Sequence, residues 1–290
     1  MIPPRSTQRI LRLACCGLAL LLCAPGGARA AAVDFALGRY SYEGDFEGDD
    51  EITLSSIPLE MTIHRPGGRL TIILPYTRIK GTGRVTMTMD GPMVIGAGGP
   101  GAPSYQRSRA GGSESGLGDI ILRDESYLKR GGKGNSPFVS WMFEWKIPTA
   151  DHKKGLGTGE RDWSLGLRYI QPLGNSFQLL GDFNFRFMGS RSGLDIDDRV
   201  RLMAGFAVVT PRARWQAEIE NVTPGVRSLQ VFDMNGMPTA AMIEADDYRV
   251  IRGTLLMRSS GGGTTGLIIT KGLTDSAEEI GFAIRLSTGS

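Results

Sequence analysis

Hydrolytic or metal chemistry would have to come from very few residues, because the chain has two histidines, His64 and His152, and three cysteines, Cys15, Cys16 and Cys23. Ester hydrolysis by a serine nucleophile needs a histidine beside the serine and a third group to orient the imidazole. His64 adjoins the tight turn Arg65-Pro66-Gly67-Gly68, and His152 sits in the solvated run Ala150-Asp151-His152-Lys153-Lys154 with no identifiable serine partner. No catalytic residue is assigned. The run Gly155-Leu156-Gly157-Thr158-Gly159-Glu160 invites a phosphate cradle, yet it lacks the G-x-G-x-x-G spacing and leads into an alternating segment, not a helix. A tight loop with positive φ at its glycines is the simpler reading. The acidic runs Asp45 to Glu51 and Asp195 to Asp198 read as solvated charge, so neither a metal nor a cofactor is assigned.

The beginning of the chain sets the compartment. Arg5, Arg9 and Arg12 precede an apolar run from Leu13 to Ala24, and Ala28-Arg29-Ala30 places small residues where a signal peptidase reads. Residues 1–30 are therefore expected to be a signal peptide cleaved after Ala30, and residues 31–290 a single exported β domain. All three cysteines leave with the signal, which excludes disulfides and thiolate chemistry from the remainder. A lipidated cysteine does not fit, since bulky Leu22 precedes Cys23. Of 33 basic residues the signal removes four arginines, leaving 29 against 30 acidic residues, a net charge of −1 with no nucleic-acid partner implied.

The elements that position everything else are strands. Val139, Trp141, Phe143, Trp145 and Ile147 alternate with mostly polar residues; so do Trp163, Leu165, Leu167 and Tyr169, and then Phe177, Leu179, Phe183, Phe185 and Phe187. Period two gives each strand one aromatic face and one charged face. A soluble sandwich would bury the aromatic face; a membrane barrel turns it to lipid and the charges to its lumen. A pass along the chain finds twelve strands, an even number, with short connections alternating with long ones such as Lys80 to Gly118, Pro148 to Glu160 and Thr223 to Met242. The expected fold is thus all-β, a transmembrane antiparallel up-and-down β-barrel of about 12 strands.

Register assigns the faces. Trp141, Trp145, Trp163, Tyr169 and Trp215 are expected in lipid-facing girdles, and Glu160, Arg168, Asp182, Arg186, Arg199, Arg201, Arg214 and Glu218 in the lumen. A three-residue turn Pro172-Leu173-Gly174 would put Gln171 opposite Asn175, Ser164 opposite Asp182, and Glu160 opposite Arg186. Alternation breaks near Gly38, and the Met- and Gly-rich loop from Gly81 to Gly118 is a candidate either to fold into the lumen or, equally, to stay a flexible surface loop.

Several blocks resemble the outer-membrane proteins named for the MetA pathway of phenol degradation, a transporter group. Leu74 to Gly81 is similar to that family's "PY…I.G" block, and Gly116-Leu117-Gly118-Asp119-Ile120 to its "GLGD" block. Lys146 to Asp151 with Gly155 to Glu160 resembles its "K.PTAD…GLGTGE" signature, and Gly272 to Ser276 its "G.SDSSP" block. The resemblance covers most of residues 31–290. It implies an outer-membrane barrel conducting small hydrophobic or aromatic compounds, with Pro148, Thr149, Asp151, Gly155, Gly157 and Gly159 as a signature loop. Outer-membrane lipid, lipopolysaccharide and the barrel-assembly machinery would be its partners. The alternative is a structural or surface-interaction barrel whose lumen is plugged by its own charges. One departure is the ending Ser287-Thr288-Gly289-Ser290, where such barrels usually finish on an aromatic residue.

Overall fold

A computed structural model of the protein describes residues 32–44, 52–80, 85–88, 91–94, 112–131, 135–189, 194–196, 198–223, 226–232, 238–242, 248–274, 277 and 279–288. The expected signal peptide, the acidic run Asp45 to Glu51 and most of the Met-rich loop lie outside them. The strands are β1 (Val33–Gly44), β2 (Ile52–Arg65), β3 (Gly68–Lys80), β4 (Val85–Thr88), β5 (Gly91–Val94), β6 (Ser113–Leu117), β7 (Ile120–Lys129), β8 (Phe138–Ile147) and β9 (Asp162–Leu173). They continue as β10 (Phe177–Phe187), β11 (Leu194–Ile196), β12 (Arg199–Val209), β13 (Ala213–Val222), β14 (Val226–Phe232), β15 (Pro238–Met242), β16 (Tyr248–Arg258), β17 (Thr264–Gly272) and β18 (Ile280–Ser287).

Twelve wall positions close into an antiparallel barrel. Neighbours in space follow the chain order, and β18 returns to pair with β1 while β2 pairs with β3. β6 and β7 share one position, pairing respectively with the upper and lower parts of β3. The hairpin β4–β5 and the small sheet β11–β14–β15 lie outside the wall.

Burial is inverted relative to a globular core, and this excludes the sandwich. The most deeply buried side chains include Lys146, Glu125, Glu220 and Asn184, whereas Leu167, Phe183, Phe206, Trp215, Ile251, Ile269 and Phe282 are exposed. A sandwich would bury those apolar residues; here they form the surface that meets lipid, with the polar set inside. Trp145, Trp163 and Phe187 oppose one another across three strands, and the Trp163 and Phe187 rings stack with centroids 3.7 Å apart. Trp215 and Tyr169 lie toward the opposite rim, where the tight turns are.

Those turns include one correction. Pro211-Arg212 forms the expected two-residue link, closed by the Thr210 amide donating to the Ala213 carbonyl. The other expected turn is displaced: β9 runs on through Pro172, Leu173 opposes Phe177, and the turn is Gly174-Asn175-Ser176 with Gly174 at φ +70°. Proline is tolerated there because the adjoining β8 has ended, its first residue Phe138 opposing Ile170. Arg168 therefore opposes Asp182 and Ser164 opposes Arg186. Glu160 precedes β9, so its expected pairing with Arg186 does not occur. Alternation also runs unbroken through Gly38, which turns Tyr40 and Tyr42 inward; only the pairing lapses, where Gly38 and Arg39 pass Ile57 and Pro58.

Facing gives a direct test. Phe183→Arg, at mid-strand on the outer face, should impair refolding into bilayers by about 2–4 kcal/mol. Met203→Arg, its inward neighbour on β12, should cost much less. Urea titration of both variants in lipid measures the difference, and equal losses would show that the faces are misassigned.

Candidate functional site

Pro75 and Pro58 oppose each other in the wall. The Pro75 carbonyl accepts the Gly118 amide at 2.8 Å, and since a strand residue's N–H and C=O point the same way, the missing Pro75 N–H faces that same neighbour. There β6 gives way to β7 with one extra residue: Tyr76 opposes Leu117, but Ile73 opposes Ile121. This bulge buries both Gly118 and Asp119. A side chain at Gly118 would press on the Pro75 ring.

Asp119 is thereby aimed at the connection between β8 and β9. Its Oδ1 accepts the Thr149 and Ala150 amides, each at 3.0 Å. Thr149 Oγ1 donates to the Gly118 carbonyl at 2.9 Å and accepts the Ile120 amide at 3.1 Å. Lys146, wholly buried, lies 2.5 Å from Asp162 Oδ2 and 3.5 Å from Asp119 Oδ2, and it donates to Thr158 Oγ1. Asp162 Oδ1 accepts the Gly189 amide. A buried lysine is tolerated because two carboxylates and a hydroxyl replace its water.

The signature loop is thus bolted to the wall. Asp151 accepts the Lys153 amide and opens a single helical turn, His152–Lys154, which Gly155 ends at φ +71°. Gly159 adopts φ +80°. Gly157 passes so close to Asp119 that any Cβ would collide with the carboxylate. Leu156 is buried against Leu54 and Ile79, with Tyr42 and Ala150 beside it. Leu54 and Ile79 face inward from β2 and β3, so this loop folds over the inner wall. Of the Met- and Gly-rich stretch from Gly81 to Gly118, expected to enter the lumen or to stay on the surface, Ser113–Leu117 is wall strand β6 and β4 and β5 are described by their backbone, while most of the rest lies outside the described residues. Glu160 closes the turn, its amide donating to Thr158 Oγ1.

Below the loop the inner wall is a belt of ion pairs. Arg123 and Arg186 both reach Glu144, Arg186 at 3.1 Å across two strands. Arg69 and Arg168 flank Glu125; Arg168 and Arg201 flank Asp182 at 3.1 and 3.5 Å. Arg201 and Arg252 each lie 2.9 Å from Glu220, and Arg285 lies 2.8 Å from Glu60. Glu218 is engaged by Gln216 and, at 3.8 Å, by Arg252. Arg199 is buried higher on the wall, opposite Arg186. In nine of these ten ion pairs the guanidinium side chains keep 22–39% exposure while their carboxylate partners keep 0–14%, the exception being the buried Arg186. Anions sit in the wall and cations reach into the lumen.

Among the described residues two cavities stand out inside. The larger, about 400 Å³, lies toward the tight-turn rim among β3, β7 to β10, β12, β13 and β16, and includes Arg69, Arg168, Arg214 and Glu218. The other, about 270 Å³, is bounded by Tyr40, Tyr42, Arg252 and Thr270. His64 bonds Asp34 at 2.8 Å near the tight-turn rim. Asp198 of the second acidic run accepts the Met188 amide. Among the described residues no group of three or more potential ligands gathers to hold a metal.

Comparison with known proteins finds likeness in fold alone. No family profile matches the chain, and no curated protein matches it by sequence. Among solved structures, an outer membrane channel from Pseudomonas putida F1 aligns with a TM-score of 0.66 at 13% identity, covering 91% of this chain and 98% of that one. The NanC porin aligns at 0.47 and 7% identity over 89% and 100% of the two chains. The Pseudomonas putida toluene transporter TodX aligns at 0.41 and 10% identity over 94% and 92%.

The bolt predicts a local phenotype. Asp119→Ala removes the acceptor of two amides and the more distant of Lys146's two counter-charges, at a cost of about 1.5–3 kcal/mol because Lys146 keeps Asp162. Hydrogen exchange at Thr149 and Ala150 should accelerate while heat-modifiable gel mobility persists. Unchanged protection at those two amides would mean that the loop is held by other contacts.

Proposed function

We propose that the chain is exported, loses residues 1–30, and acts in the outer membrane as a passive channel or transporter for small compounds, hydrophobic or aromatic ones among them. The observation that carries this reading is the inverted barrel: an apolar belt encloses a polar lumen that holds a cavity of about 400 Å³. The fold shared with the Pseudomonas putida F1 outer membrane channel supports it. So does the resemblance to the MetA-pathway family, because three of its sequence blocks meet in one bonded cluster around Asp119, Lys146 and Thr149. A cluster that buries charge to pin a loop is a costly device, and it is understandable if the loop shapes a passage.

In this reading Pro148, Thr149, Asp151, Gly155, Gly157 and Gly159 build a fixed constriction, with Leu156 as its inner contact. Arg168, Asp182, Arg186, Arg199, Arg201, Arg214 and Glu218 line the lumen, and Glu160 marks the loop's exit toward β9. Trp141, Trp145, Trp163, Tyr169 and Trp215, all 38–56% exposed, anchor the barrel in lipid. Lipopolysaccharide would surround the long-loop rim, and the barrel-assembly machinery would insert the chain.

The test is conduction. Refolded residues 31–290 should give discrete single-channel currents in planar bilayers and admit small solutes in liposome swelling. Leu156→Asp, which expels the loop from its apolar seat, should raise conductance. Wild-type protein that is folded but passes neither ions nor solutes would overturn the channel reading in favour of a sealed barrel.

A further inference from the structure

The larger cavity joins two surfaces that do not ordinarily share a water-filled lumen. On one side it is lined by Phe138, Ile170, Leu180, Met203 and Leu256. All five lie at inward positions of their strands, where a polar lumen would carry polar residues. On the other side stands Arg214. Arg214 forms no ion pair among the described residues, and its Nε is buried without a hydrogen-bond partner. The acid nearest to it in sequence, Glu218, is already engaged by Gln216 and Arg252. Arg168 and Arg69 also border the cavity, with their carboxylate partners buried in the wall.

We infer that this cavity is a binding site for small organic monocarboxylates, whose carboxylate pairs with Arg214 while an apolar ring or short chain lies on Phe138, Ile170, Leu180 and Met203. A guanidinium that feels Glu218 only at a distance and has no contacting carboxylate is satisfied by a planar carboxylate, which it binds in bidentate fashion. A neutral arene would leave Arg214 unpaired. A fully hydrated anion such as phosphate would leave the apolar side wet, and an organic cation would meet three guanidiniums. The volume suits one ring with a short substituent. The inference specifies the solute class within the channel reading and rests on it for transport, whereas binding itself can be measured without transport.

Titration calorimetry of refolded, detergent-solubilised protein with sodium benzoate is the direct experiment, with benzamide and inorganic phosphate as comparison ligands. Benzoate should bind, benzamide and phosphate should bind at least roughly tenfold more weakly, and Arg214→Gln should weaken benzoate by a similar factor or more, the worth of one charge-assisted hydrogen bond. Arg214→Lys should retain part of the affinity. Wild-type protein that does not bind benzoate, or that binds benzamide equally well, overturns the inference whatever its variants do. Single-channel recording separates this from the channel reading. Benzoate binding without any conductance sustains the site and sinks the channel, and conductance unaffected by benzoate, with no calorimetric binding, does the reverse.

Discussion

Everything in this molecule follows from one constraint: in hydrocarbon, each backbone amide and carbonyl must find a partner within the chain. Closure of twelve strand positions meets that demand for nearly the whole wall. Two of the exceptions, at Pro58 and Pro75, are forced by proline. Where Pro75 withholds a donor, the neighbouring strand takes up an extra residue, and that residue is the aspartate that holds the loop. A gap in the ladder has become the anchor of the candidate site.

The same constraint explains the composition of the lumen. A barrel leaves most of its apolar side chains outside, so its interior coheres through hydrophobic contact only in patches such as the seat of Leu156 and relies elsewhere on charge. Short carboxylates reach only as far as the wall, while arginine stems extend past them, and this difference in length puts the positive ends at the water. An inner surface with a balanced count of charges can therefore present mainly one sign.

Facing and register were not equally legible in the sequence. Facing depends only on whether a turn is odd or even, so Trp163, Arg168 and Asp182 could be placed from alternation alone. Register depends on which residues form the turn, and Pro172 was a misleading marker because a proline at a strand end beside an absent neighbour costs nothing. A displacement of two residues along each strand preserved every face and changed every partner, which is why Arg186 found Glu144 instead of Glu160. The inward fold of the signature loop escaped the sequence for a related reason. A Met-rich segment looks apolar in isolation, whereas Leu156 is a single apolar residue among glycines whose seat on Leu54 and Ile79 is formed by strands roughly 80 to 100 residues earlier. The clue available was the pairing of Asp119 with Lys146-Ile147-Pro148-Thr149, two motifs that each held an unexplained charge.

The seam between β1 and β18 has a consequence for how the molecule is made. Thr288 extends that seam beyond the strand, its amide donating to the Phe35 carbonyl and its hydroxyl accepting the Phe35 amide across 253 residues of sequence. Loop-closure entropy makes such a contact the most expensive in the chain to form early. The eleven other strand junctions join nearer neighbours, and if they form first the wall would be an open sheet with two bare edges until the seam closes. In that interval its unpaired edges are templates for other chains. On that order of assembly, losses to aggregation would follow the speed of seam closure more than the stability of the finished wall.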